Sequence, residues 1–156
     1  MQVDLNEIMK KNISVGEYID KMAKSFKKKF LEKKRTYHLD EEVIHRLKDY
    51  AKDVAIVVFT AQWCEYCADY IPVLDLLSEK TSIKVKVFGG LKTNPLHNNE
   101  IWRIPPSPPE VKTFDVQEIP HIIIFNKQGK QLGTITGSQK LENTLEKEIL
   151  HIIQQK

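Results

Sequence analysis

Six consecutive residues, Val54-Ala55-Ile56-Val57-Val58-Phe59, carry no polar side chain and are mostly β-branched or aromatic. A half-exposed strand would alternate apolar and polar residues, because successive side chains point to opposite faces. A continuous apolar run of this length reads instead as a central strand covered on both faces. The chain around it supplies the cover. A helical pattern follows the run, with Tyr70, Ile71, Leu74 and Leu77 on one side, ending near Lys80. Pro72 lies inside that pattern and is expected to kink it, since proline removes one amide donor and crowds the preceding turn. Ile83–Phe88 is a second strand, ended by Gly89-Gly90. A β-α-β unit requires a right-handed crossover and parallel strands. Pro120 then opens a strand over His121–Phe125, Asn126–Gly129 reads as a hairpin turn, and Gln131–Thr136 returns antiparallel. A last helix is expected over about 139–153, with Leu141, Leu145, Ile149 and Ile152 inward. Another runs from Asp40, its N-cap, to about Lys52. Residues 89–118 are the least regular stretch; their prolines forbid a helix except around His97–Arg103.

The N-terminal 36 residues differ in character. They hold 10 Lys and Arg against 5 Asp and Glu, a net of +5, whereas residues 37–156 hold 14 against 16, a net of −2. Ser14-Val15-Gly16-Glu17 has the spacing of a capping box, in which the serine oxygen accepts an amide and the glutamate reaches back to the Ser14 amide. Val15, Tyr18, Ile19, Met22, Phe26 and Phe30 follow at steps of three and four. One amphipathic helix over 15–34 is the expectation. Its stripe needs a partner, either the main body or a second copy of the chain in a homo-oligomer. The basic cluster Lys21–Arg35 reads as a solvated helix face. No aromatic-interleaved or zinc-finger pattern points to nucleic acid. No apolar run approaches the ~20 residues of a membrane helix. No secretory signal is visible, so a cytoplasmic setting is expected. The domain reading is therefore a basic helical extension over 1–36 and an α/β domain over 37–156.

The chain has two cysteines, Cys64 and Cys67, three apart. In a chain without an export signal, that spacing points to redox or metal chemistry. No second C-x-x-C exists, no histidine follows Cys67, and the five histidines show no ligand-like pairing. Zinc and haem attachment lose their donors, and no metal site is assigned. Position favours redox. The pair sits where a buried strand ends and a helix begins, so the Cys64 sulfur lies at a helix N-terminus. Free amides and the helix dipole favour thiolate there. Cys67, one turn on and more buried, is within reach of a mixed disulfide formed at Cys64. Cys64 is then the attacking nucleophile and Cys67 the resolving thiol.

Val57-Val58-Phe59-Thr60-Ala61-Gln62-Trp63-Cys64-Glu65-Tyr66-Cys67 resembles the active-site segment of the thioredoxin family. The likeness extends to Pro72, to Ile119-Pro120-His121-Ile122-Ile123-Ile124-Phe125, and to Gly129 and Gly137, covering about residues 38–154. It implies a thioredoxin-like α/β fold, a mixed sheet flanked by helices, here with an N-terminal helical extension. It implies that Trp63 packs beside the site and that Pro120 follows a cis bond against the cysteines. It also implies that the Ile119 backbone docks an extended substrate, beside Trp63, Glu65 and Tyr66. The implied function is a thiol–disulfide oxidoreductase acting on protein disulfides, with an external reductant such as a reductase. The cysteine pair itself carries two electrons, so no cofactor is required.

Two departures stand out. The residues between the cysteines are Glu65-Tyr66 where thioredoxins have Gly-Pro. A carboxylate beside Cys64 opposes thiolate formation, which predicts a reducing dithiol nearer about −270 mV than about −120 mV. Thioredoxins also carry a buried acid six residues before the first cysteine, which moves protons for the resolving thiol. Here that residue is Val58, so water, Glu65 or another group must take over. His121 is expected to be a packed strand residue, Asp69 solvated and Tyr70 packed. The stretch 89–118, about a dozen residues longer than in a minimal thioredoxin, is a candidate for substrate choice, with Trp102 and the Pro105–Pro109 run as a lip. Two other functions remain open: a binding module without turnover, and a metal or cluster carrier using the cysteine pair.

Overall fold

The Val54–Phe59 run forms strand β2, and all six of its residues are buried. The computed structural model describes residues 2–89, 91, 109–137 and 144–155. Among them, five strands form one sheet in the order β1-β3-β2-β4-β5, with β1 at Ile13–Ser14, β3 at Lys84–Phe88, β4 at His121–Asn126 and β5 at Gln131–Thr136. β2 runs parallel to β3, with Phe59 opposite Phe88. β4 is antiparallel to both β2 and β5. The parallel pair is joined through helix α5, Glu65–Thr81. This is the mixed sheet expected, parallel first and antiparallel after. The stretch His97–Arg103, the Pro105–Pro108 run, Trp102 and Leu141 lie outside the described residues.

Register assigns the two faces. Val57 pairs with Ile123 and Phe59 with His121, so these side chains share one face. There Phe59 stacks on Phe88 with centroids 4.7 Å apart. Phe114, at the end of the short helix α6 (Glu110–Thr113), covers Phe59 at 6.0 Å and Phe125 at 5.9 Å. The opposite face carries Ile56 and Ile124, and Ile124 pairs with Gly133. Ile152 of the last helix, α7 (Leu145–Gln154), lies directly over Gly133, where a Cβ would meet its Cγ2 at 2.7 Å. Helices therefore cover both faces, which is why β2 carries no polar side chain.

The hairpin between β4 and β5 turns as expected. Gly129 takes φ +82, a left-handed conformation that side chains resist. The Asn126 carboxamide oxygen accepts from the Gln128 and Lys130 amides at 3.0 Å each. Pro72 lies inside α5, which runs on to Thr81 and stops at Ser82, itself left-handed at φ 68.

The N-terminal segment departs from expectation in several ways. A first helix, α1 (Leu5–Lys10), is capped by Asp4 and has no counterpart in the expected pattern. Ile13–Ser14 joins the sheet beside β3. The single helix expected over 15–34 is two, α2 (Val15–Asp20) and α3 (Lys24–Thr36). The break falls at Ala23, whose backbone is extended and whose amide donates to the Gln62 carboxamide oxygen at 3.1 Å. An outside acceptor thus replaces the carbonyl that a continuous helix would offer. Ser14 caps α2 as expected, accepting from the Glu17 amide at 3.2 Å, but Glu17 accepts from the Ser14 hydroxyl and not its amide.

The apolar stripe finds its partner within the chain. Val15, Ile19, Met22 and Phe30 are buried in the same core as β2 and α5, while Phe26 is 37% exposed. Lys34 bridges from α3 to Asp75 at 2.9 Å and Glu79 at 2.6 Å on α5. The homo-oligomer expected as an alternative partner for this stripe is not supported, because α5 of the same chain already covers it. Helix α4 (Glu41–Lys48) is capped by Asp40, as expected, and ends four residues early. Glu146 on α7, fully buried, ties the approach to α4: it accepts from the Tyr37 hydroxyl at 2.7 Å and the Asp40 amide at 2.8 Å.

Candidate active site

β2 ends at Phe59, and five residues later Cys64 stands as the N-cap of α5. Its sulfur accepts the Cys67 amide at 3.2 Å, taking one of the donors a helix start leaves free. The Cys64 thiol also lies 3.7 Å from the Ile119 carbonyl oxygen, an acceptor for its proton. Ile119–Pro120 is a cis peptide. Gly137 packs against this point: its amide donates to the Pro120 carbonyl at 2.9 Å, and a Cβ there would overlap the proline ring. The two cysteines differ in environment. Cys64 is 8% exposed and Cys67 fully buried. The Cys67 thiol and the Cys67 and Tyr66 amides, all donating to the Cys64 sulfur, pull its pKa down to about 7 against the opposing effect of burial. The carboxylate that opposes its ionisation is Asp69. Burial, with Cys64 beside it, pushes the Cys67 thiol strongly up.

Each residue singled out in the sequence can be placed. Trp63 and Tyr66, next to the cysteines in the chain, are 51% and 56% exposed. Glu65 is exposed on the first turn of α5 and Asp69 on the next, and Tyr70 is half-buried. The Ile119 carbonyl faces Cys64, and Pro120 follows Ile119 across the cis bond. His121 is buried edge-on to Phe59 at 6.1 Å, and its Nδ1 has no hydrogen-bond partner among the described residues. Burial lowers its pKa. Among the described residues no three His, Cys, Asp or Glu side chains gather as a metal-binding group.

A thioredoxin family model matches residues 12–140. The chain belongs to the thioredoxin family. Thioredoxin of Rickettsia typhi is 37% identical over 91 residues, covering 58% of this chain and 74% of that one. Thioredoxin of Rickettsia prowazekii is 35% identical over 95 residues, covering 60% and 78%. Among solved structures, a protein of unknown function from Pseudomonas aeruginosa, PA1234, matches with a TM-score of 0.73 at 11% identity over 98% of both chains. That likeness concerns the fold, and it spans the N-terminal segment as well as the body.

The thioredoxin motifs do not account for every residue at the site. Tyr18, on α2, lies near enough to the sulfurs that their charges add to the effect of burial in raising its phenol pKa. Thr60, between β2 and the cysteines, is fully buried. In the sequence Tyr18 is one apolar position in a stripe, and Thr60 one residue of a matched segment. Neither carries a local signal for the site, because only tertiary packing brings α2 to the end of β3.

Proposed function

We propose that this protein reduces protein disulfides by dithiol exchange, with Cys64 attacking and Cys67 resolving. The observation that carries the reading is the pairing of a Cys64 sulfur stabilised by the amides of α5, with its pKa near 7, and a protonated, buried Cys67 one turn away. The lowered pKa raises the thiolate share of Cys64 at neutral pH above that of an ordinary thiol, and thiolate is the attacking species. Attack forms a mixed disulfide with the substrate. Cys67 attacks the Cys64 sulfur, the substrate leaves as a thiol, and two electrons have passed to it. The exposed Trp63 and Tyr66, with the exposed Glu65 that follows Cys64 and the Ile119 backbone opposite, form the surface offered to an extended substrate segment. An external reductant, of the thioredoxin-reductase kind, returns the pair to the dithiol. A reducing cytoplasmic setting belongs to the same reading, since both cysteines are committed to exchange and none is left for a structural staple.

Insulin reduction driven by dithiothreitol tests it. The wild type accelerates precipitation of the B chain, Cys64→Ser returns it to background, and Cys67→Ser traps a mixed disulfide. Equal rates with and without the protein overturn the reading.

A further inference from the structure

The resolving step poses a proton problem. Cys67 is fully buried and protonated, and it must lose its proton as it attacks. Val58 offers no acid, and Glu65 is exposed at the surface. The buried carboxylates among the described residues are engaged elsewhere, Asp75 with Lys34, and Glu146 with Tyr37 and the Asp40 amide.

Two hydroxyls lie where a carrier is needed. β2 and β3 are parallel, so Thr60 and Gly89 leave the sheet at the same end, where α5 begins. The Thr60 amide donates to the Phe88 carbonyl at 3.1 Å, which fixes Thr60 beside the end of β3. The Tyr18 ring lies against Gly89, where a Cβ would stand 2.9 Å from its Cε1 and 3.9 Å from its Cζ. Any larger residue at 89 would displace the ring. The Thr60 hydroxyl is buried and has no hydrogen-bond partner among the described residues. Leaving such a group unpaired costs about 1–3 kcal/mol, so the position calls for an explanation. The hydroxyl lies near enough to Tyr18 and Cys67 to favour the ionised form of each, but it bonds to neither at rest, so both contacts shorten only as the mixed disulfide is resolved. Tyr18 is only partly buried, so the row Cys67–Thr60–Tyr18 leads from the core toward water.

We propose that Thr60 and Tyr18 relay the Cys67 proton to solvent while the mixed disulfide is resolved, a role that rests on the redox function proposed above. As the Cys67 sulfur bonds to the Cys64 sulfur, the Cys64–substrate S–S bond breaks and its electron pair leaves on the substrate sulfur. The Cys67 proton moves to Thr60 Oγ1, the Thr60 hydroxyl proton to Tyr18 Oη, and the Tyr18 hydroxyl proton to water. Water protonates the departing thiolate. Each hydroxyl gives one proton and takes one, so both end neutral. The raised Tyr18 pKa suits this, because the relay needs a phenol and not a phenolate.

The test uses the full-length reduced protein and a chromogenic aryl disulfide. One aryl thiolate is released on attack by Cys64 and a second on resolution by Cys67. Tyr18→Phe keeps the ring on Gly89 and removes the hydroxyl. It slows the second release about 10-fold or more, less than the ~100-fold at which proton-transfer catalysis usually begins because water partly substitutes, and leaves the first release unchanged. Thr60→Val does the same, and Thr60→Ser, which keeps the hydroxyl, restores the rate. The solvent deuterium effect on the second phase also changes in Tyr18→Phe, which a merely structural role would not produce. If Thr60→Val fails to fold, Tyr18→Phe decides alone. A second release at the wild-type rate in Tyr18→Phe overturns the relay while the redox reading stands. Absence of a fast first release in the wild type removes both.

Discussion

The body of the molecule and its N-terminal segment reach the active site in different ways. The body carries the thioredoxin motifs, and their order along the chain is the order in which they meet: β2, the cysteines, α5, then the Ile119–Pro120 junction. The N-terminal segment carries a net charge of +5 and no motif of the site. Yet it supplies Tyr18 near the sulfurs, buries Phe30 in the common core, and donates the Ala23 amide, at the break before α3, to Gln62 of the cysteine loop. The comparison teaches that a segment without catalytic motifs can still be packed against the cysteine loop and share its core. Curated thioredoxins align with 58% to 60% of this chain, whereas the fold of PA1234 follows 98% of it.

If the segment is structural to the whole, damage to it unfolds the whole. Phe30→Ala removes a fully buried ring and is expected to cost about 3–5 kcal/mol in a denaturant melt, with one cooperative transition for both regions. Two separate transitions would break the comparison in favour of an appendage. Glu146→Ala strands the Tyr37 hydroxyl and the Asp40 amide and is expected to cost about 2–3 kcal/mol.

The next test isolates what the body does alone. Thiolate is the reactive form, so a lowered pKa brings reactivity to lower pH. Alkylation of Cys64 should climb through a midpoint near pH 7 and level off above it, where an ordinary thiol would still be climbing. Tyr18→Phe should leave that midpoint in place, because the donors that set it are the Cys67 thiol and the amides of α5. A midpoint near pH 9 would remove the helix-end explanation. The smallest effect is expected of Gln62→Ala, which takes the acceptor from the Ala23 amide: about 0.5–1 kcal/mol by thermal melt, with faster amide exchange confined to the start of α3.

Much of the body was legible because its signals are local. A run of six apolar residues is a buried strand wherever it sits. Asn126–Gly129 has turn chemistry of its own, and Asp40 and Ser14 cap helices through contacts within three residues. Cys64 and Cys67 were legible for the same reason, since a strand-to-helix junction fixes their setting. What escaped depends on distant partners. The break in the 15–34 pattern is made by Gln62, 39 residues away from Ala23. β1 has two residues, too few to show a period, and exists because β3 pairs with it. α6 is a single short turn under Phe59 and Phe125. Tyr18 fitted its apolar stripe, and its hydroxyl became meaningful only when Gly89 left room for the ring.

The pairing of β1 with β3 also bears on how the protein behaves at high concentration. Lys84–Phe88 would otherwise end the sheet with a row of unpaired amides and carbonyls, a template for other chains. Two residues of β1, followed at once by a helix, close part of that row and are themselves too short to recruit a further strand. Trimming the protein to its cysteine-bearing body would uncover this border. Poor solubility of such a fragment would then reflect a sheet left open, not a damaged redox centre.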